Sequence, residues 1–320
     1  MTLSAKSCAA MKITLVHNPT AGSGQETKDL VRLITDAGHE VRHRSTEKGW
    51  ERLLQDPTDL VVAAGGDGTL RKVILAAVDH KLPFAAIPIG TANNIAKTLG
   101  VLGDARELVE TWSTSPRSEQ PFDIGEIAAA SKRERFVEGI GGGVVADLIG
   151  RGDEIEADAR LLGRETDRAL HLFGEIMREA SVHRWRVTAD GSDLSGDYIA
   201  VEVLNIRFVG PNLPLAPQAN PSDALLDLVL VSETDRESLL AYVDDRLNLA
   251  SGQLPTLRFT QARKVEMIAP AGVRLHIDDR NWPSAQPLTE AQTLSIRCLA
   301  GAATFVGATE NTGRRKHRGS

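Results

Sequence analysis

Cysteine and long apolar runs are what this 320-residue sequence has least of. It contains two cysteines, Cys8 and Cys298, so a disulfide framework is not indicated and a reducing compartment fits. No apolar run approaches the roughly 18 residues that a membrane-spanning helix requires. The first ten residues also lack the basic start and apolar core of an export signal. We therefore expect a cytoplasmic protein that is neither inserted in a membrane nor exported.

A basic surplus and metal-ligand spacings are absent as well. The net charge of −6, with 42% hydrophobic residues, favours a globular protein and gives no reason to expect nucleic acid as a partner. The eight histidines show no spacing that is typical of metal ligands. One basic cluster, residues 314–318, is predicted to be solvated, with a weak contact to anionic lipid as the alternative. A phosphorylated ligand would have to be bound by local groups.

The first 126 residues alternate short apolar runs with helical periodicity. Strands are predicted at residues 13–16, from 41 onward, at 60–64 and at 84–87. Apolar residues spaced three and four apart predict amphipathic helices around residues 30–37 and 70–77. Alternating strands and helices indicate a parallel sheet with helices on both faces.

After about residue 126, strands outnumber helices. Asp190 and Gly191 separate two apolar segments, which predicts a hairpin whose second strand covers residues 198–204. Further strands are predicted at residues 226–231, 256–259, 265–268 and 273–277, and charged amphipathic helices at 155–180 and 235–250. The change of pattern indicates a second, mostly β domain.

A glycine-rich loop, GGDGT at residues 65–69, lies between a predicted strand and a predicted helix. Glycines let backbone N–H groups approach phosphate oxygens, and the free N–H groups at the start of a helix favour negative charge. The loop therefore predicts a cradle for a triphosphate. For a lone pair of glycines, a tight turn without a ligand is the alternative.

Two more loops of similar composition follow other strands. HNPTAGSG covers residues 17–24 and PIGTANN covers residues 88–94. Because the carboxyl ends of parallel strands share one edge of a sheet, all three loops are expected to converge on one crevice. None of them is the GxxxxGKS/T or the GxGxxG motif, so those two readings are excluded.

The loops HNPTAG, GGDGT and PIGTANN, in this order and spacing, resemble those of the diacylglycerol kinase catalytic-domain family, which includes bacterial lipid kinases and sphingosine kinases. The later segments LAPQA and DALLD extend the resemblance to about residues 11–305. It implies an N-terminal Rossmann-like three-layer α/β domain and a second β-sandwich-like domain, as in NAD kinase and diacylglycerol kinase. The implied boundaries are 11–126 for the nucleotide-binding domain, completed by about 291–308, and 127–290 for a β-rich substrate and metal domain, with flexible tails at 1–10 and 309–320.

The resemblance implies transfer of the terminal phosphoryl group of ATP, with Mg²⁺, to a hydroxyl of a diacylglycerol- or sphingoid-like acceptor. The residues implied to contact the nucleotide are Asn18, Pro19, Thr20, Ala21, Gly22, Thr46, Gly65, Gly66, Asp67, Gly68, Thr69, Thr91 and Asn93. A structural Mg²⁺ is implied at Asn220, Asp223 and the backbone of Leu225, where oxygen ligands suit that ion. A plain surface turn is the alternative there. Peripheral contact with a membrane and a homodimer are left open.

Phosphoryl transfer also needs a group that accepts the proton of the attacking hydroxyl. Asp67 is predicted to hold a catalytic Mg²⁺ directly or through water, and Asp123 resembles a family acid of the same network. The family's Asp-Gly-Glu turn corresponds to Asp278, Asp279 and Arg280. Asp278 is therefore predicted to be catalytic, but an arginine that cannot take up a proton replaces the proton-accepting glutamate. Asp278 or Asp279 as the base, Arg280 on a phosphate, and a non-catalytic hairpin are the alternatives.

The sequence departs from the family at two further places. Asn94 stands where most relatives have aspartate, and Arg71 and Lys72 replace the usual Asn-Glu after GGDGT. This pair is expected either to meet phosphate or to point to solvent. Arg280 and Asn94 leave open a nucleotide-binding regulatory protein that has lost catalysis. The GGDGT loop also resembles that of NAD kinases, so an NAD kinase-like activity is a further alternative.

Overall fold

The structure is a computed structural model that describes residues 10–18, 24–46, 49–101, 103–112, 118–129, 132–152, 165–248, 252 and 254–307. Its strands are β1 (Lys12–His17), β2 (Glu40–Ser45), β3 (Leu60–Gly65), β4 (Pro83–Pro88), β5 (Ser118–Ala129), β6 (Lys132–Phe136), β7 (Gly139–Gly143), β8 (His183–Ala189), β9 (Ser192–Asp193), β10 (Gly196–Tyr198), β11 (Ala200–Leu204), β12 (Leu226–Val231), β13 (Arg258–Ala262), β14 (Lys264–Ala269), β15 (Leu275–Ile277), β16 (Arg280–Trp282) and β17 (Gln292–Gly307). Its α-helices are α1 (Gly24–Asp36), α2 (Asp67–His80), α3 (Asn94–Thr98), α4 (Ala105–Trp112), α5 (Val144–Gly150), α6 (Glu165–Glu179) and α7 (Arg236–Leu247), and short 3₁₀ helices cover Trp50–Gln55 and Glu233–Asp235.

The N-terminal strands form a parallel sheet in the order β4-β3-β1-β2. Every residue of β3 is buried, as expected for a strand that is covered on both faces. Val62 packs with Ile34 of α1 and Trp112 of α4. On the opposite face, Val61 packs with Val73 of α2. The predicted parallel sheet with helices on both faces is confirmed.

The last strand, β17, joins this parallel sheet to the rest of the molecule. Thr304 and Phe305 pair in parallel with Pro83 and Phe84 of β4, and β17 also runs antiparallel to β5 and β14. One continuous sheet therefore contains strands from both predicted domains, and β5 runs through the boundary predicted at residue 126. The division into 11–126 and 127–290 stays a prediction.

A second sheet has the order β13-β12-β11-β7-β15-β16. The strand β12 shows how it is packed, because its side chains alternate between two cores. Leu228 faces the first sheet in a core that includes Trp185 and Met267, whereas Val229 faces Phe173 of α6 on the other side. The two sheets thus pack face to face, which confirms the predicted β-sandwich-like part.

The strand predicted at residues 198–204 is divided between the two sheets. Asp190 and Gly191 have φ angles of 45° and 87° and form the predicted turn, after which β9 and β10 pair with β8. The amide of Ile199 instead donates to Val231 O at 2.8 Å, and β11 enters the second sheet. The apolar residues of β11 are buried on both of its faces there, and this burial accounts for the change of sheet.

The glycine run of residues 139–143 forms β7, between β11 and β15. A Cβ at Gly141 would lie 2.1 Å from Glu202 Oε2. The same Oε2 atom lies 2.8 Å from Nε2 of His276. Glycine is required because this buried pair fills the space beside the strand.

No helix in the described part of the chain is long and apolar enough to cross a lipid bilayer. The basic cluster at residues 314–318 lies outside the described residues, as do almost all residues of the predicted tails.

Candidate functional site

The three loops of the sequence motifs meet at one edge of the parallel sheet. His17, at the end of β1, pairs with Ala64 of β3, and the amide of Ile89 donates to Gly65 O at 3.2 Å. A Cβ at Gly90 would lie only 2.4 Å from the Cα atom of Gly66. Because two backbones pass this closely only without side chains, the glycines of the second and third loops are needed for the contact. The predicted convergence is confirmed for the second and third loops, and the strand that precedes the first loop ends at the same edge.

The first loop is described only at its ends. The His17 ring is buried, and its Nδ1 lies 3.0 Å from Thr27 Oγ1. The amide of Thr46 donates to His17 O at 3.1 Å, so Thr46 lies at the same edge as Asn18. The predicted nucleotide contacts Pro19, Thr20, Ala21 and Gly22 lie outside the described residues.

The GGDGT loop opens helix α2, with Gly66 as its N-cap residue. The amides of Thr69 and Leu70 both donate to Gly66 O at 3.0 Å. The helix therefore begins within the loop, at Asp67. Its first N–H groups and their partial positive charge point to the loop edge. Gly65 and Gly68 flank this start, and Thr69 is buried. The arrangement can bind an anion.

The carboxylate of Asp67 joins this loop to helix α3. Asp67 Oδ2 accepts the amide of Asn94 and Oδ1 accepts the amide of Ile95, both at 2.9 Å. Burial raises the pKa of Asp67 above its ordinary value, against these two N–H groups and Lys97, which lower it. The Asn94 side chain donates to Gly210 O at 3.0 Å. Asp67 is thereby held in a fixed position.

The third loop is closed by its own asparagine. Asn93 adopts a left-handed φ of 51°, accepts the amide of Gly90 at 3.1 Å and donates to Gly90 O at 2.6 Å. These bonds give the Asn93 side chain a role in shaping the loop. Thr91 Oγ1 donates to Glu165 Oε2 at 2.8 Å, which connects the loop to α6.

The turn between β15 and β16 holds Asp278 beneath the loops. Asp278 has a φ of 50°, and its Oδ1 accepts the amides of Val137, Glu138 and Gly139 at 3.1, 2.8 and 3.2 Å. Burial raises the pKa of Asp278 to about 6, against these amides and Arg71. Three N–H donors on one oxygen anchor the turn, so the carboxylate that was predicted to be catalytic is bonded to the backbone.

Arg71 and Arg280 have partners that the sequence did not indicate. Arg71 Nη2 lies 2.9 Å from Asp279 Oδ1, and Nη1 lies 3.9 Å from Asp278 Oδ2. The alternative that Arg71 points to solvent is wrong, because its side chain is 16% exposed and pairs with the acids of the turn, whereas Lys72 is exposed. A contact of Arg71 with phosphate stays a prediction. Arg280 forms an ion pair with Glu134. The alternative of Arg280 on a phosphate stays a prediction.

Glu138 is a site residue that sequence reasoning missed. Its Oε1 atom is buried without a hydrogen-bond partner among the described residues. Burial raises the pKa of Glu138 well above its ordinary value, and the carboxylates of Asp67, Asp278 and Asp279 raise it further. The available signal was a carboxylate directly before the glycine run of residues 139–143.

Asp123 lies apart from this group. Its Oδ1 accepts the amide of Gly301 at 2.6 Å and its Oδ2 accepts the amide of Ala224 at 2.7 Å. Burial raises its pKa, against these two amides. The contacts connect β5 to the turn of residues 220–225 and to β17. Its predicted catalytic role stays a prediction.

The predicted metal trio forms a tight turn. Asp223 Oδ1 accepts the amide of Leu225 at 3.0 Å, and the amide of Asp223 donates to Asn220 O at 3.3 Å. Burial raises the pKa of Cys298 to about 12, and the nearby carboxylates of Asp123 and Asp223 raise it as well. The turn therefore carries a local negative potential. Among the described residues, no group of three or more His, Cys, Asp or Glu side chains has the geometry of a metal site.

A cleft of about 340 Å³ opens beside the loops, and we call it the central cleft. Its polar lining, which we call the floor, includes Asp67, Thr91, Asn94, Glu138, Glu165, Thr166, Asp278 and Asp279, and its apolar lining, which we call the wall, includes Leu148, Ile149, Ala169 and Pro211. The wall comes from α5, α6 and the segment after β11. Asp123 is not among the lining residues. A phosphate-binding edge and an apolar wall thus share one cleft, as a site for a polar reaction on an apolar molecule requires.

Two family models match the sequence: the diacylglycerol kinase catalytic domain over residues 12–127 and the YegS C-terminal NAD kinase beta sandwich-like domain over residues 169–293. The diacylglycerol kinase of Bacillus subtilis is 24% identical over 278 residues, which are 82% of this chain and 88% of that protein. A Pseudomonas aeruginosa protein named "Probable lipid kinase YegS-like" is 27% identical over 283 residues, 83% of this chain and 87% of that protein.

A solved structure of a diacylglycerol kinase from Bacillus anthracis is also similar. It superposes with a TM-score of 0.70 at 19% identity, over 94% of this chain and 98% of that chain. At this identity the likeness shows a shared fold, and it confirms the fold class that the sequence predicts.

Proposed function

Because this chain belongs to the diacylglycerol kinase catalytic-domain family, we propose that it is an ATP-dependent lipid kinase that phosphorylates a hydroxyl of a diacylglycerol- or sphingoid-like acceptor. The observation that carries this proposal is the central cleft, in which the loops of the phosphate cradle adjoin an apolar wall. Binding ATP at the loops and an acyl chain at the wall would bring the hydroxyl to the γ-phosphate.

The nucleotide half of the site is the loop edge. The start of α2 and the backbone of Gly65, Gly66, Gly68 and Thr69 offer N–H groups to the phosphates. Thr91 and the first loop would complete the contacts, with Thr46 beside Asn18. The close approach of Gly66 and Gly90 supports this proposal, because it leaves the phosphate edge free of side chains.

Mg²⁺ would neutralise phosphate charge during transfer. Asp67 fits a role in holding it, since its carboxylate is an oxygen ligand fixed at the cleft floor by the amides of Asn94 and Ile95. A second, structural Mg²⁺ is proposed at Asn220, Asp223 and the Leu225 carbonyl. There the negative potential around Cys298 and a donor set made only of oxygens suit a hard cation.

The acceptor half is the apolar wall of the central cleft. Leu148 and Ile149 of α5 and Ala169 of α6 would contact an acyl or sphingoid chain. The acceptor then lies with its hydroxyl towards Asp67, Glu138 and Asp279. We propose that the protein takes this lipid from the surface of a membrane while residing in the cytoplasm, and that residues 11–126 with β17 form its nucleotide-binding domain.

Incubation of the protein with γ-labelled ATP, Mg²⁺ and mixed micelles tests the proposal. The micelles contain diacylglycerol, a sphingoid base or a related lipid alcohol, and we expect labelled phospholipid from at least one of them. Asp67→Ala should abolish the product, whereas Asp197→Ala, at an exposed ion pair with Arg184, should leave it unchanged. ATP binding without a labelled product from any lipid would contradict the proposal.

A second candidate function is a nucleotide-binding regulator without catalysis. The ion pair of Arg280 with Glu134 favours it, because no glutamate stands at the third position of the turn. Turnover that is lost in Asp67→Ala would eliminate this candidate. An NAD kinase-like activity is checked in the same preparation by supplying NAD and measuring NADP.

A further inference from the structure

We propose that Glu138 accepts the proton of the acceptor hydroxyl, in place of the glutamate whose position in the β15–β16 turn is occupied by Arg280. The inference rests on the proposed kinase function and assigns a catalytic residue to it. It starts from a carboxylate that the structure brings into the central cleft from an element outside the three loops and the turn.

The backbone of Glu138 is held on both sides. Its amide donates to Asp278 Oδ1 at 2.8 Å, and its carbonyl accepts the amide of Asn205 at 2.8 Å. Glu138 lies between β6, which ends at Phe136, and β7, which begins at Gly139, so two strands limit its movement. A group fixed in this way can act on a bound hydroxyl without a large reorganisation.

The carboxyl group of Glu138 has unused capacity to accept a proton. Its Oε1 is buried and has no hydrogen-bond partner among the described residues, and Glu138 lines the central cleft together with Asp67 and Asp279. A buried polar atom without a partner is costly, and an acceptor hydroxyl in the cleft would supply the missing hydrogen bond.

The other acids of the cleft are already engaged. Asp278 Oδ1 accepts three backbone amides, and Asp279 pairs with Arg71 at 2.9 Å. Asp67 accepts the two amides at the start of α3. These contacts occupy the carboxylate oxygens of Asp67, Asp278 and Asp279, so an acceptor hydroxyl would have to compete with partners that are already bound. Glu165, which also lines the cleft, accepts the Thr91 hydroxyl. Among the described acids that line the cleft, Glu138 is the one with a buried carboxylate oxygen that has no hydrogen-bond partner.

The charges that face Glu138 come from several elements. Asp67 and Arg71 lie on α2, and Asp278 and Asp279 lie on the β15–β16 turn. His276 of β15 lines a small cavity together with Glu138. Burial, followed by the three aspartates, raises the pKa of Glu138, and Arg71 opposes them. A base with a raised pKa takes up a proton more readily near neutral pH than an ordinary glutamate does.

In the proposed step the acceptor oxygen attacks the γ-phosphorus of ATP and forms the new P–O bond. The bond between the γ-phosphorus and the β,γ-bridging oxygen breaks, and ADP leaves with that electron pair. The hydroxyl proton passes to the ionised carboxylate of Glu138. Deprotonation of Glu138 to solvent restores the enzyme, so atoms and charge balance without a further reagent.

The test compares Glu138→Gln, Glu138→Asp, Asp279→Asn and the control Glu126→Gln, at a β5 glutamate that pairs with Arg297 and does not line the cleft. Turnover of the lipid that gives the best rate is measured from pH 5 to 9, with KM for ATP. We expect Glu138→Gln to lower kcat by about 100-fold or more, to leave KM for ATP near the wild-type value and to remove the acid limb of the kcat profile. Glu138→Asp should retain part of the rate, with a displaced acid limb.

Three results would overturn the inference. Glu138→Gln could keep wild-type turnover, it could lose turnover while the acid limb persists, or Asp279→Asn alone could remove the limb. A wild-type protein that binds ATP but phosphorylates no lipid overturns the proposed function, and the inference with it. Active wild type with an unaffected Glu138→Gln overturns the inference alone.

Discussion

The guanidinium group of Arg71 lies 2.9 Å from the carboxylate of Asp279 and 3.9 Å from that of Asp278. This ion pair connects the first turn of α2 to the β15–β16 turn across the floor of the central cleft. The Arg71 side chain is 16% exposed, so its charge is shielded from water and acts more strongly than a surface charge. Arg71 thereby holds the GGDGT loop and the β15–β16 turn together.

We expect Arg71→Ala to destabilise the protein and to impair catalysis. Asp278 would keep its buried carboxylate without the nearby cation, and loss of one partner of a buried charge costs about 1–3 kcal/mol. Urea unfolding monitors the stability, and the lipid kinase assay monitors the rate. Lys72→Ala is the matched control, because Lys72 is exposed in the same helical turn. Equal effects of the two substitutions would contradict the role given to Arg71.

Gly90→Ala is expected to weaken ATP binding. Its Cβ would lie 2.4 Å from the Cα atom of Gly66 and 3.0 Å from the Gly66 amide nitrogen, so the second and third loops would have to separate. Backbone atoms cannot yield as a flexible side chain can, and we expect an increase of about tenfold or more in Kd for ATP. Calorimetric titration with ATP checks this.

Gly174→Ala in α6 is the control for that experiment. A Cβ at Gly174 would make ordinary contacts of 3.5 Å or more, so unchanged nucleotide affinity is expected. Wild-type affinity in Gly90→Ala would show that the contact between the loops is not needed for binding.

The convergence of the three loops was predictable because it follows from strand direction. Once β1, β3 and β4 are parallel, the segments after His17, Gly65 and Pro88 have to share one edge. The fold class followed for the same reason, since the alternation of strands and helices extends over the first 126 residues. Local patterns that are repeated along the chain carry this information.

The arrangement of the acids was not predictable, because it depends on contacts between distant segments. Asp123 was predicted to join the same network as Asp67, yet its carboxylate accepts the amides of Ala224 and Gly301. In the sequence, Glu138 looks like any polar residue between two strands. Its place in the cleft depends on the distant Asp278, whose carboxylate accepts its amide. The periodicity of the sequence does not indicate which of these carboxylates line the same cleft.

The buried pair of His276 and Glu202 predicts a pH dependence of stability. Nε2 of His276 lies 2.8 Å from Glu202 Oε2. Burial lowers the pKa of His276, but Glu202 and Asp278 together outweigh burial, and the pKa is raised above its ordinary value of 6.5. The folded state therefore binds this proton more tightly than the unfolded state. The resulting stability is fully present below pH 6.5 and is lost as the pH rises through the raised pKa.

His276→Gln should remove this pH-dependent contribution and leave Glu202 buried without a cation, at a cost of about 3 kcal/mol at pH 6. The double variant Glu202→Gln/His276→Gln should recover part of that loss, because both side chains are then neutral and still able to hydrogen-bond. Urea unfolding at pH 6 and pH 9 measures both effects. His171→Gln, at an exposed position of α6, is the control. A wild-type advantage over His276→Gln that is the same at both pH values would contradict the assignment.

Restoring the family glutamate by Arg280→Glu is expected to give no gain in turnover. The new carboxylate would face Glu134, the present partner of Arg280, which also accepts the Trp282 Nε1 proton at 2.8 Å. Like charges at this partly exposed position should lower the free energy of unfolding by about 1 kcal/mol. The charge-swapped variant Glu134→Arg/Arg280→Glu should recover that stability without raising kcat, because the pair would still lie away from the central cleft. A rise in kcat in Arg280→Glu would show that the third residue of the turn reaches the acceptor hydroxyl, and it would transfer the role of proton acceptor from Glu138 to the turn.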